Sequence, residues 1–332
     1  MKKILAIGEA LIDFIANDYG VSIQDVNSFT PKIGGAPCNV CGAASKVGVP
    51  SGIITMLGND AFGNKIIDYL KENNVSTEYL YQTDEANTAL AFVSKKANGD
   101  SSYTFYRNPS SDMLLEASQI KKLWFRNTYA LHFCSVDIGQ FPMKYAHLKA
   151  IEYAKEEGAL ISFDPNIRKA LWKSESALKN AILEFIPLAH ILKISSDELE
   201  FITGYNDIKE ALPSLFIGNV ELVIYTKGED GAEAYTKNTS AFISGTRMGN
   251  PIDTTGAGDG FIGSFLANMA LRKITLEQLI NIKSKTLKDL LEYSNLFSAI
   301  SVTKSGAIAS YPLKEEMDKY YGLWFCKNIL SK

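Results

Sequence analysis

Short apolar segments recur along the whole chain and alternate with longer segments of helical character. The apolar segments are KILAIG, SGIITML, TALAFVS, YALHFCSV, ALISFD, HILKIS, ELVIYT, TSAFIS and SAISVT. The helix-like segments include NVCGAASKVG, NKIIDYLKENN, YAHLKAIEYAKEEG, SDELEFITG, GFIGSFLANMALRK and EQLINIKSKTLKDLLEYSN. Strands that alternate with helices predict an α/β fold, with a mostly parallel central sheet flanked by helices on both faces. Functional residues are then expected at the carboxyl ends of the strands.

Two segments depart from this alternation. Residues 10–31 and 87–113 have the pattern of strands joined by tight turns, and Asn98-Gly99 is a favourable hairpin turn. They predict a small β-sheet beside the main body, which is a candidate lid. Because no repeat, low-complexity tract or linker divides the remainder, we expect one domain over residues 1–332.

Composition and charge narrow the range of partners. The chain has 332 residues, 46% of them hydrophobic, and 34 Lys and Arg against 37 Asp and Glu. With both charge signs spread along the chain, neither nucleic acid nor a membrane is expected as a partner, and a small molecule is favoured. Glu9 and Asp13 interrupt the apolar N-terminal segment, and no cleavage site follows it. We therefore expect a cytoplasmic protein.

The cysteines do not indicate a disulfide framework, because there are only four in a long chain. Cys38 and Cys41 have C-x-x-C spacing, which raises a redox or zinc site as an alternative. A zinc site would need further ligands, and the three histidines lie far away in the sequence, at His132, His147 and His190. Two small residues packed on a helix explain the spacing better.

The most informative segment runs from Asp253 to Phe261, DTTGAGDGF, and is followed at once by an apolar helix pattern. Gly256, Gly258 and Gly260 allow the backbone to present N–H groups at a helix N-terminus, which predicts an anion site. Asp259 lies within it. A carboxylate there can accept the proton of an attacking hydroxyl while the N–H groups hold a phosphoryl group. A weak base suffices, since the hydroxyl loses its proton late in a loose transition state.

Other phosphate-binding motifs compare poorly with this segment. Gly258, Gly260 and Gly263 form a G-x-G-x-x-G match, so a nicotinamide-dependent oxidoreductase is an alternative. That fingerprint should follow a strand directly, however, and residues 249–253 are poor strand formers. The chain contains no Gly-Lys dipeptide and no H-R-D sequence, which excludes a P-loop and argues against a protein kinase.

Several motifs, taken in order, resemble those of the ribokinase-like, or PfkB-type, carbohydrate kinases. GGAPCN at 34–39 resembles the sugar-site signature of that family, LGNDAFG at 57–63 resembles the segment that follows it, and DTTGAGD at 253–259 resembles the second signature. The resemblance covers essentially the whole chain. It implies a ribokinase-like three-layer fold with a mostly parallel central sheet and a small β-sheet lid, and an ATP-dependent kinase.

The resemblance implies roles for individual residues on the sugar and phosphate sides. Asp259 would be the catalytic base, and an anion hole would be formed by Gly256, Ala257 and Gly258. Arg168, in the segment DPNIR, would face the phosphates, where its planar fork suits phosphate oxygens. The sugar would be bound by Asp13, Gly34, Gly35, Asn39 and Asn166.

The same resemblance implies a nucleotide and metal side. KISSDE at 193–198 resembles a Lys-x-Asn-x-x-Glu element in which Lys193 contributes to the nucleotide site and Glu198 organises Mg²⁺ through water; Ser195 replaces the asparagine, as in fructokinase-like members. The nucleotide-side turn would include Thr226, Gly228 and Gly231, and Asn295 would lie near the adenine. Backbone oxygens of Asp253 and Thr255 would bind a monovalent cation, K⁺.

The segment from Tyr103 to Leu115 resembles bacterial fructokinases most, with 2-keto-3-deoxygluconate kinases as close relatives. Arg107 would project from the lid onto the sugar or its developing phosphate. The expected reaction is ATP-dependent phosphorylation of a free hexose, fructose at its 6-hydroxyl. The alternatives are 2-keto-3-deoxygluconate or another sugar or nucleoside as substrate, and a non-catalytic sugar sensor, against which the presence of Asp259 speaks. Lid sheets of this family often pair between subunits, which implies a homodimer.

Overall fold

A computed structural model describes residues 1–95 and 101–321 of the chain. The predicted Asn98-Gly99 turn and Cys326 lie outside the described residues. The strands are β1 (Lys3–Ile7), β2 (Leu11–Tyr19), β3 (Phe29–Gly34), β4 (Ser51–Gly58), β5 (Val75–Ser76), β6 (Leu80–Thr83), β7 (Leu90–Lys95), β8 (Ser101–Tyr106), β9 (Thr128–Cys134), β10 (Leu160–Asp164), β11 (Ile191–Ser195), β12 (Leu222–Thr226), β13 (Ala232–Tyr235) and β14 (Ser240–Ile243). The helices are α1 (Ala36–Lys46), α2 (Ala61–Glu72), α3 (Pro142–Glu156), α4 (Glu175–Phe185), α5 (Ser196–Thr203), α6 (Ile208–Leu215), α7 (Ala257–Leu271), α8 (Leu276–Ile280) and α9 (Ser284–Ser301).

The central sheet has the order β14-β13-β12-β11-β10-β9-β1-β4-β5, with β6 also paired to β4. Its pairs are parallel except β12 with β13 and β13 with β14. Alternate residues of β1 face two separate apolar clusters. Ile4 and Ala6 pack with α1, α7 and α9, whereas Leu5 and Ile7 pack with α3, α4 and α5. The predicted three-layer fold is confirmed.

A separate four-stranded sheet has the order β3-β2-β7-β8. It is built from the two segments that broke the helix–strand alternation, and β3 continues to Gly34, beyond the predicted limit of residue 31. Asp13 lies in β2 of this sheet. The small sheet is confirmed, and its action as a lid stays a prediction.

Two expectations about the C-terminal helices are wrong. SAISVT was expected to form a strand, but Ser298–Ser301 form the last turn of α9. This part of α9 is buried, so its apolar run lacks the polar face that marks a surface helix. The segment expected as one helix over residues 277–295 is instead divided between α8, which ends at Ile280, and α9, which begins at Ser284.

Close helix packing explains one glycine of the G-x-G-x-x-G match. A Cβ at Gly263 would lie 2.7 Å from Ala43 Cβ and 2.8 Å from Val40 O, so only glycine lets α7 approach α1 this closely. The loop after β14 leads into α7 without an intervening strand. The match therefore lacks the strand–turn–helix context of a dinucleotide-binding site.

Cys38, Cys41 and Cys134 are buried free thiols. In residues 1–95 and 101–321, no group of three or more His, Cys, Asp or Glu side chains is arranged to hold a metal ion. Within the same ranges, none of the helices combines the length and the apolar character that crossing a bilayer requires. The cytoplasmic location stays a prediction.

Candidate active site

A cavity of about 400 Å³ lies where the small sheet meets the beginnings of α1 and α7. Asp13 and Phe105 line it from the small sheet, Asn39 from α1, and Asp259 from α7. Its volume is in the range of small-molecule sites. The carboxyl ends of β10 and β11 lie at the same edge of the central sheet, as expected for a doubly wound fold.

Asp259 occupies the first turn of α7 and is 9% exposed. Asn39 Nδ2 donates to Asp259 Oδ2 at 2.9 Å, and Asn166 Nδ2 donates to Asp259 Oδ1 at 3.3 Å. Residues 39, 166 and 259 are far apart in the sequence, so the fold itself brings these three polar side chains together. The two amides fix the direction of the carboxylate.

Burial disfavours the charged forms of the two cleft carboxyl groups. It raises the pKa of Asp259 from 3.8 to about 6, although hydrogen bonding from Asn39 and the charges of Arg168 and Lys193 lower it. Burial likewise raises the pKa of Asp13 to about 7, which Arg168 lowers and Asp259 raises. Asp259 is thus a stronger base than an exposed aspartate and is still largely ionised above neutral pH.

The N-terminus of α7 has the conformation that the glycine run predicts. Gly256 precedes the helix with φ +75°, and a Cβ there would lie 2.6 Å from Ala307 Cβ, so glycine is required on both counts. The Ala257 N–H donates to Thr254 O at 3.2 Å. The N–H groups of Gly258 and Asp259 belong to the first turn, whose N–H groups have no acceptor inside the helix. A phosphate oxygen can supply that acceptor.

The loop before α7 is held by the Asp253 carboxylate. Asp253 Oδ1 accepts the N–H of Thr255 at 3.0 Å, and Oδ2 accepts the N–H of Gly306 at 2.9 Å. Asp253 and Thr255 both line the cavity. Because the carboxylate is engaged by these N–H groups, a cation at this loop would be bound by backbone oxygens.

Lys193 lies beneath the start of α7. Its Nζ is 2.6 Å from Asp164 Oδ2, and both side chains are at most 5% exposed. The same Nζ would be 3.6 Å from a Cβ built on Gly258. The Asp164 and Glu198 carboxylates raise the pKa of Lys193 despite burial, so the lysine stays charged. A fixed positive charge therefore stands directly behind the predicted phosphate site.

Arg168 lies at the mouth of the cavity, in the loop after β10. Its Nη1 donates to Ile167 O at 3.0 Å and to Asn166 O at 3.4 Å, and the residue is exposed. These partners are neutral carbonyl groups. The guanidinium is therefore held in place without losing its charge.

The sugar-site signature forms the turn between β3 and α1. Gly35 has φ +105°, and a Cβ there would meet the backbone of Glu9 and Ala10. A Cβ at Gly34 would collide with the Asp13 carboxylate. Asn39 Oδ1 is buried and has no hydrogen-bond partner within the described residues, so it can accept a hydroxyl hydrogen.

The residues expected on the nucleotide side lie beyond the cavity, near the ends of β11 and β12. Ser195 and Thr226 are the last residues of these neighbouring strands and are in register. Gly228 and Gly231 have φ +54° and +107° in the following turn. Asn295 Nδ2 donates to Ser244 O at 3.2 Å and to Thr246 Oγ1 at 3.0 Å, and so fixes the loop after β14.

Glu198 forms a capping box at the start of α5. Its Oε2 accepts from the Ser195 N–H at 2.9 Å and from Ser195 Oγ at 2.8 Å, and its Oε1 accepts the Ile167 N–H at 2.8 Å. Both oxygens are thus already in use, and each keeps one lone pair or fewer for further partners. The carboxylate fits contact with Mg²⁺ through water.

Arg107 departs from its predicted placement. Its Nη2 lies 2.6 Å from Asp112 Oδ2 and also contacts Asp137 Oδ1, and its side chain is 5% exposed. It is not among the described residues that line the cavity. The expected projection from the lid onto the sugar or its developing phosphate is not seen in this structure: two buried carboxylates hold the side chain at the root of the small sheet.

Glu9, a buried acid of the cleft, was not predicted as a site residue. Glu9 lines the cavity, is 3% exposed, and its Oε1 accepts the Ala36 N–H at 2.9 Å. Its Oε2 has no hydrogen-bond partner in the part of the chain that the structure describes. The signal was available, because Glu9 comes two residues after the buried strand β1, where a parallel sheet places its functional residues.

Comparison with known proteins identifies a matching family and similar sequences. The model of the pfkB family carbohydrate kinases matches residues 1–314. Fructokinase-2 of Oryza sativa subsp. japonica is 40% identical over 311 residues, which is 93% of this chain and 90% of the relative.

Solved structures agree with the sequence relatives. The crystal structure of a Xylella fastidiosa fructokinase with bound ATP superposes with a TM-score of 0.88 at 28% identity, covering 96% of this chain and 97% of that one. A Vibrio cholerae O395 fructokinase double mutant, solved with fructose, ADP and a potassium ion, has a TM-score of 0.84 at 29% identity and covers 96% and 97% of the two chains.

Proposed function

The chain belongs to the pfkB family of carbohydrate kinases, and within that family we propose that it transfers the γ-phosphoryl group of ATP to the 6-hydroxyl of free fructose. The observation that carries this proposal is Asp259, held by Asn39 and Asn166 in a cavity of sugar size, at the start of a helix that can bind phosphate. Relatives and similar structures named as fructokinases support the choice of sugar.

The proposed reaction uses the chain's own groups at each step. Asp259 accepts the proton of the sugar hydroxyl as its oxygen bonds to the γ-phosphorus, and the bond from that phosphorus to the bridging oxygen of ADP breaks. The N–H groups at the start of α7, with Lys193 behind them and Arg168 at the cavity mouth, stabilise the charge on the transferring group. The products are ADP and fructose 6-phosphate.

Polar groups in the cavity support a polyhydroxy substrate. The unpaired oxygens of Asn39 and Glu9 are acceptors for sugar hydroxyl hydrogens, and the Asp13 carboxyl adds another. The missing side chains of Gly34 and Gly35 leave room for the Asp13 carboxyl and for the backbone of Glu9 and Ala10 at the cavity wall.

We also assign the two metal ions of the predicted site as proposals. Mg²⁺, which supplies charge neutralisation on ATP when bound, would be held by the nucleotide and by water on Glu198. K⁺ would be held by backbone oxygens near Asp253 and Thr255, and the potassium ion in the similar Vibrio cholerae structure supports this.

We also propose that the protein forms a homodimer through its small sheet. Phe14 and Phe92 stack on one face of that sheet with ring centroids 4.9 Å apart, Tyr106 packs against Phe92, and Tyr106 is 64% exposed. An aromatic face of this kind is stabilised by burial against a second copy. Sedimentation equilibrium of the full chain tests this; a monomer at micromolar concentration would contradict it.

The substrate proposal is tested by ADP release with fructose, 2-keto-3-deoxygluconate, ribose and adenosine in parallel, with NAD⁺ binding measured by fluorescence. We expect fructose to give the highest kcat/KM and NAD⁺ to show no binding. Faster turnover with another compound would contradict the choice of fructose, and binding without turnover of any sugar would favour a sensor. Nuclear magnetic resonance of the product identifies the phosphorylated hydroxyl.

A further inference from the structure

The root of the small sheet holds a buried arginine among three carboxyl groups. Arg107 follows β8 and contacts Asp112 and Asp137, whose side chains are each 1% exposed. Ser110 Oγ donates to the second oxygen of Asp112, which fixes that carboxylate. Glu9 is close enough to interact electrostatically with Arg107. We call these four charged residues, Glu9, Arg107, Asp112 and Asp137, the Arg107 cluster.

The Arg107 cluster has no net positive charge as long as at least one of its three carboxyl groups is ionised. A single ionised carboxylate neutralises the guanidinium, and Asp112 is in bonding contact with it through both Nε and Nη2. Burial raises the pKa of Glu9 to about 7 and also raises the pKa of Asp137, and the Arg107 charge lowers both. The cluster therefore carries a net charge between zero and minus two, and it offers no attraction to an anion.

The Arg107 cluster meets the cavity through Glu9. This residue and Val136, the neighbour of Asp137 in the chain, both line the cavity. Glu9 binds the N–H of Ala36, and Asn39, three residues further along α1, binds Asp259. Glu9 and Asp259 line the same cavity of about 400 Å³. A sugar with its 6-hydroxyl at Asp259 therefore places its remaining hydroxyl groups among the other polar groups of this cavity, Glu9 included.

We propose that the Arg107 cluster makes this kinase select neutral sugars over sugar acids. The inference rests on the proposed function and names the determinant of its substrate class. Glu9 offers its Oε2, which has no hydrogen-bond partner in the described residues, to a sugar hydroxyl, and the cluster presents no free cation to a carboxylate in the same position. Asp112 and Asp137 are positioning residues: they withhold from the cavity a guanidinium that would otherwise bind a carboxylate through two hydrogen bonds.

The test uses fructose and 2-ketogluconate, which differs from fructose only in having a carboxylate at C1 in place of the hydroxymethyl group. The kcat/KM ratio of the acid over fructose is measured for the parent, for the double variant Asp112→Asn with Asp137→Asn, and for Glu184→Gln. The double variant removes both carboxylates that contact Arg107. Glu184→Gln is a matched control, since it removes the carboxylate that pairs with Lys144, a buried lysine outside the cavity. We expect the ratio to rise about tenfold or more in the double variant and to stay unchanged in the control.

A rise below threefold in the folded double variant would overturn the inference, because a purely structural role for Asp112 and Asp137 would slow both substrates alike. Glu9→Gln is measured in the same way, in case the double variant does not fold, and is also expected to raise the ratio, because it replaces an acid that faces the cavity by an amide that can donate to a carboxylate. Inhibition of the parent enzyme requires no variant: 2-ketogluconate is expected to bind at least tenfold more weakly than fructose. Equal binding of the two would overturn the inference.

These outcomes separate the inference from the proposed function. A parent enzyme that uses another neutral sugar in place of fructose, and its acid poorly, would overturn the choice of fructose and support selection against sugar acids. A parent enzyme that prefers 2-ketogluconate or 2-keto-3-deoxygluconate to any neutral sugar would overturn both.

Discussion

The two arginines near the cleft have the same side chain and opposite surroundings. Arg168, in the loop after β10, is exposed and, among the residues that the structure describes, donates only to the neutral carbonyl groups of Asn166 and Ile167. Arg107, at the root of the small sheet, is buried against the carboxylates of Asp112 and Asp137. One guanidinium keeps its charge available to a ligand, and the other is neutralised by the protein.

This difference divides the cleft by charge. At the phosphate end, Arg168 presents its positive charge and the first turn of α7 presents N–H groups where ATP is expected to bind, with the Lys193–Asp164 ion pair behind them. At the sugar end, the Arg107 cluster presents acceptors and no free cation. A cationic side chain attracts an anionic ligand only to the extent that carboxylates of the protein have not already neutralised its charge. Asp259 lies between the two ends and acts on the hydroxyl that joins them.

The largest effect is expected at Asp259, which lies between the phosphate end and the sugar end of the cleft. Asp259→Asn removes the proton acceptor and keeps the shape of the side chain, so we expect kcat to fall by about 10³. Steady-state ADP release with fructose measures it. Asp68→Asn, an exposed carboxylate on α2, is the matched control and should retain full activity. Activity of Asp259→Asn within threefold of the parent would remove the proposed mechanism.

Lys193 tests whether the phosphate end depends on a buried charge. Lys193→Met leaves Asp164 buried without its partner, so it should lower kcat by about 10² and destabilise the fold by about 3 kcal/mol. The double variant Lys193→Met with Asp164→Asn removes the orphaned charge as well. It should regain most of the stability and little of the activity, as measured by urea unfolding and ADP release. Recovery of both would assign Lys193 a purely structural role.

Replacing each arginine by glutamine tests the comparison directly. Arg168→Gln should lower kcat/KM for ATP by about thirtyfold, since one charge-assisted hydrogen bond is lost, and should leave the melting temperature almost unchanged. Arg107→Gln should instead lower the free energy of unfolding by about 3 kcal/mol, because it leaves two buried carboxylates without a cation. Equal effects of the two variants on stability would contradict the distinction drawn between them.

The smallest expected effect is a gain in stability. Burial raises the pKa of Asp259 to about 6 in the folded protein. Between about pH 4 and 6, the folded protein therefore binds more protons at this residue than the unfolded chain does. Above that range, ionisation of Asp259 destabilises the fold. Asp259→Asn should therefore raise the free energy of unfolding at pH 8 by about 1 to 2 kcal/mol and change it little at pH 4.5. A pH-independent change, measured by urea unfolding, would contradict the raised pKa.

The sequence was sufficient for the architecture and for the residues around Asp259. Glycine spacing predicts local backbone conformation, and the α7 N-terminus has that conformation at Gly256. The order of strands and helices predicts the edge at which sites form, and Asn39 and Asn166 both reach Asp259 there. These features follow from local geometry and chain order, which a sequence carries directly.

Features that depend on long-range pairing were not accessible in this way. Arg107 was expected to face the sugar because its charge suits a ligand, but Asp137, thirty residues away in the chain, binds it instead. Glu9 was considered only as an interruption of an apolar segment, and its contact with Ala36 appears once the small sheet folds over α1. Tertiary packing decides which carboxylate neutralises which cationic side chain, whereas the sequence shows only that these residues are present.

The most direct test of the account is the pH dependence of kcat/KM for fructose, between pH 5 and 8.5, in the parent and in Asn39→Ala. We predict a rise with pH through the range of about 6 to 7, where Asp259 and Asp13 lose their protons, and a plateau above it. Because the Asn39 amide lowers the pKa of Asp259, Asn39→Ala should move the rise to higher pH. A flat profile in the parent, or an unmoved profile in Asn39→Ala, would contradict the assignment of Asp259 as the base.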